Sequence, residues 1–521
     1  MSRSEDNGSG AIETMTKHVK KINLVKLSEF VGERLGLYFP KERQRDLLKG
    51  ISSAAKVFGY QDVEACIQWL LTSDINQSQI ETLACNLTVG ETYFLREKRT
   101  LDVIEKRIFP SLIRARERTD RRIRIWSAGC CTGEEPFTLA ILLDQMIPDI
   151  QNWNISILAT DINPTFLVKA TRGIYREWSF RGTPQWLRDR FFIKHSDEEW
   201  EILPHLKKMV RFTYLNLVED VYPTVFNDTN AMDLVFCRNV MMYFHPMQMQ
   251  RTVDRFHRTL VEDGWLIVGA SESSNVYFSQ FKSQYYPGAI CYQKKQHRDK
   301  EESISRMMWA DAVDTISQSS TSQPIAPSLP EKGIEKDIPC DPDDVQSDQS
   351  EIISDDDLLN QAEILYQKGF YTETEEIVKK ILAKNTKDVR AMTLMAKVLA
   401  NKGMLSDALV WCRKAITVDK LNPQFHHLCA SILEEQGAVD EAVQALRHAL
   451  YLDSDFVLAH FMMGNLLRHK GRLGDAEKCY HNALSLLDSY DHEEVLPESD
   501  GIVAGRLAEI IRLTKYEDRP A

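Results

Sequence analysis

At 521 residues the chain exceeds one ordinary domain, and its 43% hydrophobic and 27% charged residues are those of a globular protein with material for roughly two to four cores. The longest apolar runs, such as 265–270, are too short to span a bilayer, and the polar N-terminus MSRSEDNGSGAIETMTKH has no apolar signal-peptide core, so nothing calls for export and a cytoplasmic location is expected. Of the net charge of −12, a balance of −11 (16 acidic, 5 basic) falls between Arg298 and Asp357, so the remainder is close to neutral and the acidity marks a linker.

Ten cysteines are scattered without C-x-x-C spacing, which predicts reduced thiols and neither a zinc nor a redox site; adjacent Cys130 and Cys131 read as small residues in a tight turn. Residues 1–21 read as a disordered tail. From Ile22 onward Leu24, Leu27, Phe30, Val31 and Leu35 recur at helical spacing, which predicts a helical unit over 22–95 whose first helix ends at Tyr38-Phe39-Pro40.

Over 96–295 short apolar strands alternate with helices. RIRIWSA (122–128), ISILATD (155–161), VRFTYLNL (210–217), DLVFCRN (233–239) and GWLIVGA (264–270) read as strands, and GAICYQKK (288–295) as a returning edge strand. Helices are predicted over 134–146, 163–171 and 246–261. This alternation implies an α/β domain, a mostly parallel sheet covered by helices, whose ligands sit at the carboxyl ends of the strands.

Residues 296–354, rich in Ser, Pro, Gln and Asp, read as a flexible tether. Beyond it Gly369, Gly403, Gly437 and Gly471 recur every 34 residues. In register stand Ala362, Ala396, Ala430 and Gly464, then Thr374, Ala408, Ala442 and Ala476, then Ile381, Ala415, Ala449 and Ala483. Small residues at this period are what close-packed helix pairs require. The pattern resembles four tetratricopeptide repeats over 355–490, an all-α domain, with a tail or capping helix at 491–521.

Four segments could carry chemistry. WSAGCCTGEEPFTLA (126–140) joins a strand to a helix through small residues that let a ligand approach the backbone, with Glu135 beyond. ATDIN (159–163) puts Asp161 at a strand end, either gripping ribose hydroxyls or capping the next helix. DLVFCRNVMMYF (233–244) ends on Arg238, Asn239 and Tyr243, the last a functional residue or a half-buried core tyrosine. LTVGETYFLRE (87–97) carries Thr92 and Arg96 ahead of the sheet. The run 96–124 holds 11 basic and 5 acidic residues, read either as a steering face for an acidic partner or as a solvated helix and loop. Basic and aromatic residues are not interleaved as a nucleic-acid surface requires, and no metal site is evident.

In this order, L-T-V-G-E-T-Y-F-L-R-E, S-A-G-C-C-T-G-E-E-P, T-D-I-N, N-L and F-C-R-N-V-M-M-Y-F, the segments over 22–295 resemble the chemotaxis receptor methyltransferases, which are protein-glutamate O-methyltransferases. The resemblance implies a helical N-terminal domain, a Rossmann-like domain that binds S-adenosyl-L-methionine, and a chemoreceptor or other signalling protein as substrate, met at the membrane only peripherally. It also implies that Glu135, Asp161, Asn216, Leu217, Arg238 and Asn239 line the cofactor site. Thr92 and Arg96 match a segment that closes over it, with Arg96 and Tyr243 flanking the transferring methyl. Gly90 stands where the family often has asparagine. The stretch 191–212 lacks the glycine-containing insertion of members that dock on a receptor pentapeptide, so the repeats are expected to dock a protein or peptide instead.

Methyl transfer from a sulfonium to glutamate needs no general base, since a carboxylate with pKa near ~4.3 is already ionised. Arg96 suits a bidentate carboxylate contact, to substrate or to the methionine part of the cofactor. Two other readings stand beside this one: a methyltransferase acting outside chemotaxis, and a non-catalytic repeat scaffold with a vestigial cofactor pocket.

Overall fold

The computed structural model describes residues 21–295 and 355–516, apart from 220, 225, 226, 368, 493, 498, 500 and 501. The expected N-terminal tail before Lys21 and the tether at 296–354 lie outside the described residues.

The N-terminal unit consists of helices Lys21–Leu35, Gln44–Val57, Val63–Thr72 and Gln77–Leu87. Asp62 caps the third through the N–H groups of Glu64 and Ala65, and Asn76 and Gln79 form a capping box on the fourth. Leu27, Val31, Ile51, Ile67 and Leu83 are fully buried between them. The first helix stops at Leu35, short of the expected Tyr38-Phe39-Pro40. The chain then turns to dock on the sheet domain: Tyr38 N donates to Tyr243 O at 2.7 Å, and His245 N donates to Gly36 O at 3.3 Å.

The sheet domain has ten strands: β1 (Arg122–Ala128), β2 (Asn154–Asp161), β3 (Ile174–Arg176), β4 (Phe192–Lys194), β5 (Glu199–Ile202), β6 (Val210–Tyr214), β7 (Met232–Cys237), β8 (Leu260–Val268), β9 (Phe281–Tyr286) and β10 (Ala289–Lys294). Seven form one sheet in the order β6-β2-β1-β7-β8-β10-β9, parallel from β6 to β8 and antiparallel beyond. Every residue of β1 and β7 is buried, as expected of central strands covered on both faces. The run at 288–295 is therefore not the edge: β9, whose alternation was not recognised as a strand, pairs outside it. The remaining three form a small sheet, β3-β5-β4, of which β4 and β5 lie in the stretch 191–212 that lacks glycine. Successive strands run outward from β1 through β2 to β6, and the chain then crosses to β7 on the other side of β1. The β1/β7 boundary is the topological switch point, where a ligand crevice opens at the carboxyl ends.

The C-terminal helices pair as Asp355–Gln367 with Tyr371–Lys384, Val389–Asn401 with Leu405–Val418, Pro423–Glu435 with Val439–Leu452, and Val457–His469 with Leu473–Leu487; Ala504–Tyr516 follows. The columns of small residues are their contact surfaces: Ala362, Ala396, Ala430, Thr374, Ala408 and Ala442 are fully buried. The four turn glycines sit at φ between +72° and +78°, a left-handed conformation that a side chain would strain.

This array lies against the amino-terminal edge of the large sheet. A Cβ on Gly369 would overlap Arg258, one on Gly403 would touch Arg122 and Val261, and one on Gly437 would touch Asn154. At the centre Glu435 forms an ion pair with Arg124 at 2.9 Å and accepts from Arg122 at 3.5 Å and Asn230 at 2.9 Å, all nearly inaccessible to solvent. Burial, then repulsion from Arg124, pulls the Arg122 guanidinium below its ordinary range, and Glu435 acts against both. The basic run 96–124 is thus partly consumed inside the molecule, since Arg116 also pairs with Asp233 at 2.5 Å.

Candidate functional site

At the opposite, carboxyl edge a cavity of about 1080 Å³, counted with its open mouth, lies under the N-terminal helical unit. Nine of the ten residues singled out in the sequence line it: Thr92, Arg96, Glu135, Asp161, Asn216, Leu217, Arg238, Asn239 and Tyr243. Gly90 stands just behind its wall, where a Cβ would come within 2.7 Å of Phe166 and 3.2 Å of Cys131 Sγ. Residues from five segments, between Thr92 and Tyr243, therefore converge because β1, β2, β6 and β7 end side by side.

The floor is the turn after β1. Gly129 N and Cys130 N both donate to Thr160 O, at 2.8 and 2.9 Å, folding the turn over the end of β2. Gly129 has φ +84°, and a Cβ there would overlap Val240, so neither the conformation nor the space admits a side chain. Cys130 and Cys131 fill the turn; burial pushes the Cys131 thiol up to about 12, which leaves it unreactive.

Asp161 is not the helix cap. Asn163 takes that place, accepting from Thr165 N and Phe166 N. The Asp161 carboxylate instead accepts from Cys131 N at 2.8 Å and Asn163 N at 2.9 Å. One acceptor site on each oxygen remains for hydroxyls arriving from the cavity. Burial pushes its carboxyl up to about 6, against the pull of those backbone N–H groups.

Glu135 and Arg238 form the back wall. Arg238 Nε donates to Glu135 Oε2 at 2.7 Å, Ser127 Oγ donates to Glu135 Oε1 at 2.8 Å, and Arg238 Nη1 donates to Arg96 O at 2.9 Å. The Arg96 backbone is thereby tied to the sheet while its guanidinium donates to Glu91 O and lies 5.9 Å from the Tyr93 ring. The segment 88–97 that carries Thr92 and Arg96 is anchored by Phe94, 1% exposed among Tyr175, Phe180 and Phe192. It bends through left-handed Leu95 and Glu97. Asn216 is committed to structure as well as to the cavity: its amide donates to Arg34 O at 2.8 Å and to Glu219 at 3.0 Å.

Three residues of this region escaped the sequence reading. Arg43, from the N-terminal unit, lines the mouth with its guanidinium 5.1 Å from the rings of both Phe39 and Tyr243. Arg181 donates to Thr92 O at 3.3 Å, pairs with Glu91 and lies 4.1 Å from the Tyr93 ring, bracing the segment over the cavity. Glu272 holds the loop after β7. Each is isolated in the sequence, without the repetition or strand-end position that exposed the others.

The cavity fits a charged nucleoside of the expected kind. Asp161 offers buried acceptors at the strand tip, Ile162, Phe166 and Leu217 supply apolar wall, and Arg43 and Arg96 place positive charge at the mouth. None of the lining residues is a histidine or a lysine; Glu135 is paired with Arg238, Glu91 with Arg181, and the buried Asp161 accepts from Cys131 N.

Residues 90–286 match the family model described as CheR methyltransferase, SAM binding domain, and residues 423–456 match a tetratricopeptide repeat. A chemotaxis protein methyltransferase of Borreliella burgdorferi is 33% identical over 258 residues, covering 49% of this chain and 89% of that protein. Chemotaxis protein methyltransferase 2 of Vibrio cholerae is 26% identical over 280 residues, 54% of this chain and 95% of that protein. Chemotaxis protein methyltransferase 1 of Pseudomonas aeruginosa is 31% identical over 214 residues, 40% and 75% respectively.

Proposed function

The chain belongs to the chemotaxis protein methyltransferases and takes its methyl group from S-adenosylmethionine, and on that footing we propose that it esterifies glutamate side chains of a chemoreceptor-type signalling protein. The observation that supports this choice of acceptor is the positive charge of Arg43 and Arg96 at the mouth of a cavity whose lining holds no histidine or lysine. A glutamate at neutral pH is already ionised, is drawn to that charge and needs no base to attack a sulfonium methyl.

When bound, S-adenosylmethionine supplies a methyl carbon on a sulfonium, open to in-line attack by a carboxylate oxygen, with the electron pair left on sulfur. Asp161 accepts the ribose hydroxyls at the tip of β2. Glu135 holds Arg238 in place, and Arg238 holds the backbone of Arg96. Arg96 and Tyr243 flank the acceptor, and Arg43 adds positive charge on the side from which an acidic segment enters. Holding the two reactants in line contributes up to roughly 7–11 kcal/mol of the barrier reduction.

The repeats serve as a docking module. Three of their turns, at Gly369, Gly403 and Gly437, are occupied at the amino edge of the sheet, away from the cavity, so they hold a different part of the signalling assembly from the segment being methylated.

Incubation with methyl-labelled S-adenosylmethionine and a chemoreceptor cytoplasmic fragment tests the proposal. Label released as methanol in mild base identifies an ester. Base-stable label would place the methyl on nitrogen or in an ether, and cofactor uptake without transfer to this fragment would move the substrate elsewhere.

A further inference from the structure

The loop that follows β7 carries Asn239 and, four residues on, Tyr243; backbone bonds from Tyr243 N to Val240 O and from Tyr38 N to Tyr243 O fix its far end, while the N–H groups of Asn239, Val240 and Met242 at its near end go to a side chain. Asn239 sits at φ +60°, a conformation uncommon for a residue with a side chain, and the chain then forms only the short helix Met241–Tyr243. Val240 packs so closely on Gly129 that a Cβ there would overlap it. The floor and the flank of the cofactor cavity therefore depend on where this loop stands.

One side chain from the other side of the β7/β8 pair holds it. Glu272, 4% exposed, lies just beyond β8 and turns its carboxylate back toward the end of β7. Oε2 accepts from Asn239 N at 2.7 Å and Gly269 N at 2.7 Å; Oε1 accepts from Val240 N at 2.9 Å and Met242 N at 3.1 Å. Four backbone donors from two strand ends thus converge on one carboxylate, which offers about four acceptor sites. No other residue type at this position can do the same. A glutamine has one acceptor oxygen, and its NH2 group would face two N–H donors that bury without a partner. The approach is too close for any side chain at 269, since a Cβ there would lie 2.7 Å from Glu272 Oε2 and 3.0 Å from Asn239 Nδ2.

We propose that Glu272 is a positioning residue for methyl transfer, locking the Asn239–Tyr243 loop into the one conformation that shapes the cofactor cavity. It does not touch the reacting atoms; it acts through Asn239, Val240 and Tyr243. Its charge is needed because the loop presents only donors to it. The inference rests on the cofactor reading of the cavity and is independent of which protein supplies the carboxylate.

The test uses the full chain with Glu272→Gln and Glu272→Asp, and measures affinity for S-adenosylhomocysteine by calorimetry and amide hydrogen exchange of the loop. For Glu272→Gln the expected result is affinity weakened tenfold or more. Exchange at Asn239, Val240 and Met242 rises tenfold or more, while Ile125 and Leu158 in β1 and β2 keep wild-type protection. Glu272→Asp, which retains the carboxylate, recovers part of both. A merely structural residue would raise exchange evenly across the sheet, and that result, or an affinity within twofold of wild type, overturns the proposal. If Glu272→Gln does not fold, Glu272→Asp decides: local loss of protection with weakened affinity supports the lock, and neither refutes it. Wild-type protein that binds no S-adenosylhomocysteine would fail the cofactor reading itself before any variant is compared.

Discussion

Arg238 and Glu135, 103 residues apart in the chain, meet at 2.7 Å at the back of the cavity, with the arginine side chain only 4% exposed. The pair joins the end of β7 to the first turn of the helix that follows β1, across the switch point of the sheet. Because Arg238 also reaches the carbonyl of Arg96, one ion pair connects three of the segments that build the site.

Removing one partner leaves a buried charge without its counter-ion. Glu135→Ala is expected to lower stability by about 3–5 kcal/mol, read from urea denaturation, and to abolish S-adenosylhomocysteine binding. Stability within about 1 kcal/mol of wild type would show that Glu97, 3.7 Å from Arg238, is a sufficient partner.

Asp161 gives a pH dependence with a definite sign. Its carboxyl stands at about 6 in the fold against an ordinary 3.8, so the folded state holds this proton more tightly. That contribution to stability is present below pH 3.8 and lost as pH rises through 6, a difference of about 3 kcal/mol in the unliganded protein. Ribose hydroxyls need the ionised form. Affinity for S-adenosylhomocysteine is therefore expected to be level above pH 7 and about tenfold weaker at pH 5. A level profile across that range would remove Asp161 from the contact.

Gly129→Ala places a Cβ against Val240 at a φ of +84°. The strain of a left-handed alanine is about 1–2 kcal/mol, and relief requires the turn or the loop after β7 to move. The expected outcome is a lowered melting temperature with cofactor binding lost. Unchanged binding would mean that the two loops shift together without cost to the cavity.

Glu435→Ala leaves Arg122 and Arg124 buried side by side. Release of the repeats from the sheet edge is the expected relief, seen as a larger radius of gyration in solution scattering. S-adenosylhomocysteine binding should stay within twofold of wild type, because the cavity lies at the other end of the strands. An unchanged radius would show that the turn contacts at Arg258 and Asn154 hold the array without the ion cluster.

What could be read in the sequence had either a period or a fixed place on a strand. Ala396, Ala430 and their partners every 34 residues announced helix pairs, and Glu135, Asp161 and Asn239 stood at or beside strand ends, where an α/β sheet gathers its ligands. Residues whose role is set by distant partners gave no such sign. Glu272 is a single acid after a strand, and its four donors come together only once β7 and β8 pair. Arg122 and Arg124 belong to a basic run that reads as a steering face or a solvated surface, because their buried partner Glu435 lies more than 300 positions away. The edge strand β9 escaped because its apolar and polar residues alternate only weakly, although Pro287-Gly288 marks the turn that follows it.

The site itself is tested most directly by titrating the full chain and Asp161→Ala with S-adenosylhomocysteine in a calorimeter at pH 7.5. Wild-type protein should take up one nucleoside per chain, and the alanine variant should bind at least tenfold more weakly while melting as a folded protein. Equal affinity in the two proteins, or no uptake by either, would contradict a cofactor pocket at the tips of β1, β2 and β7.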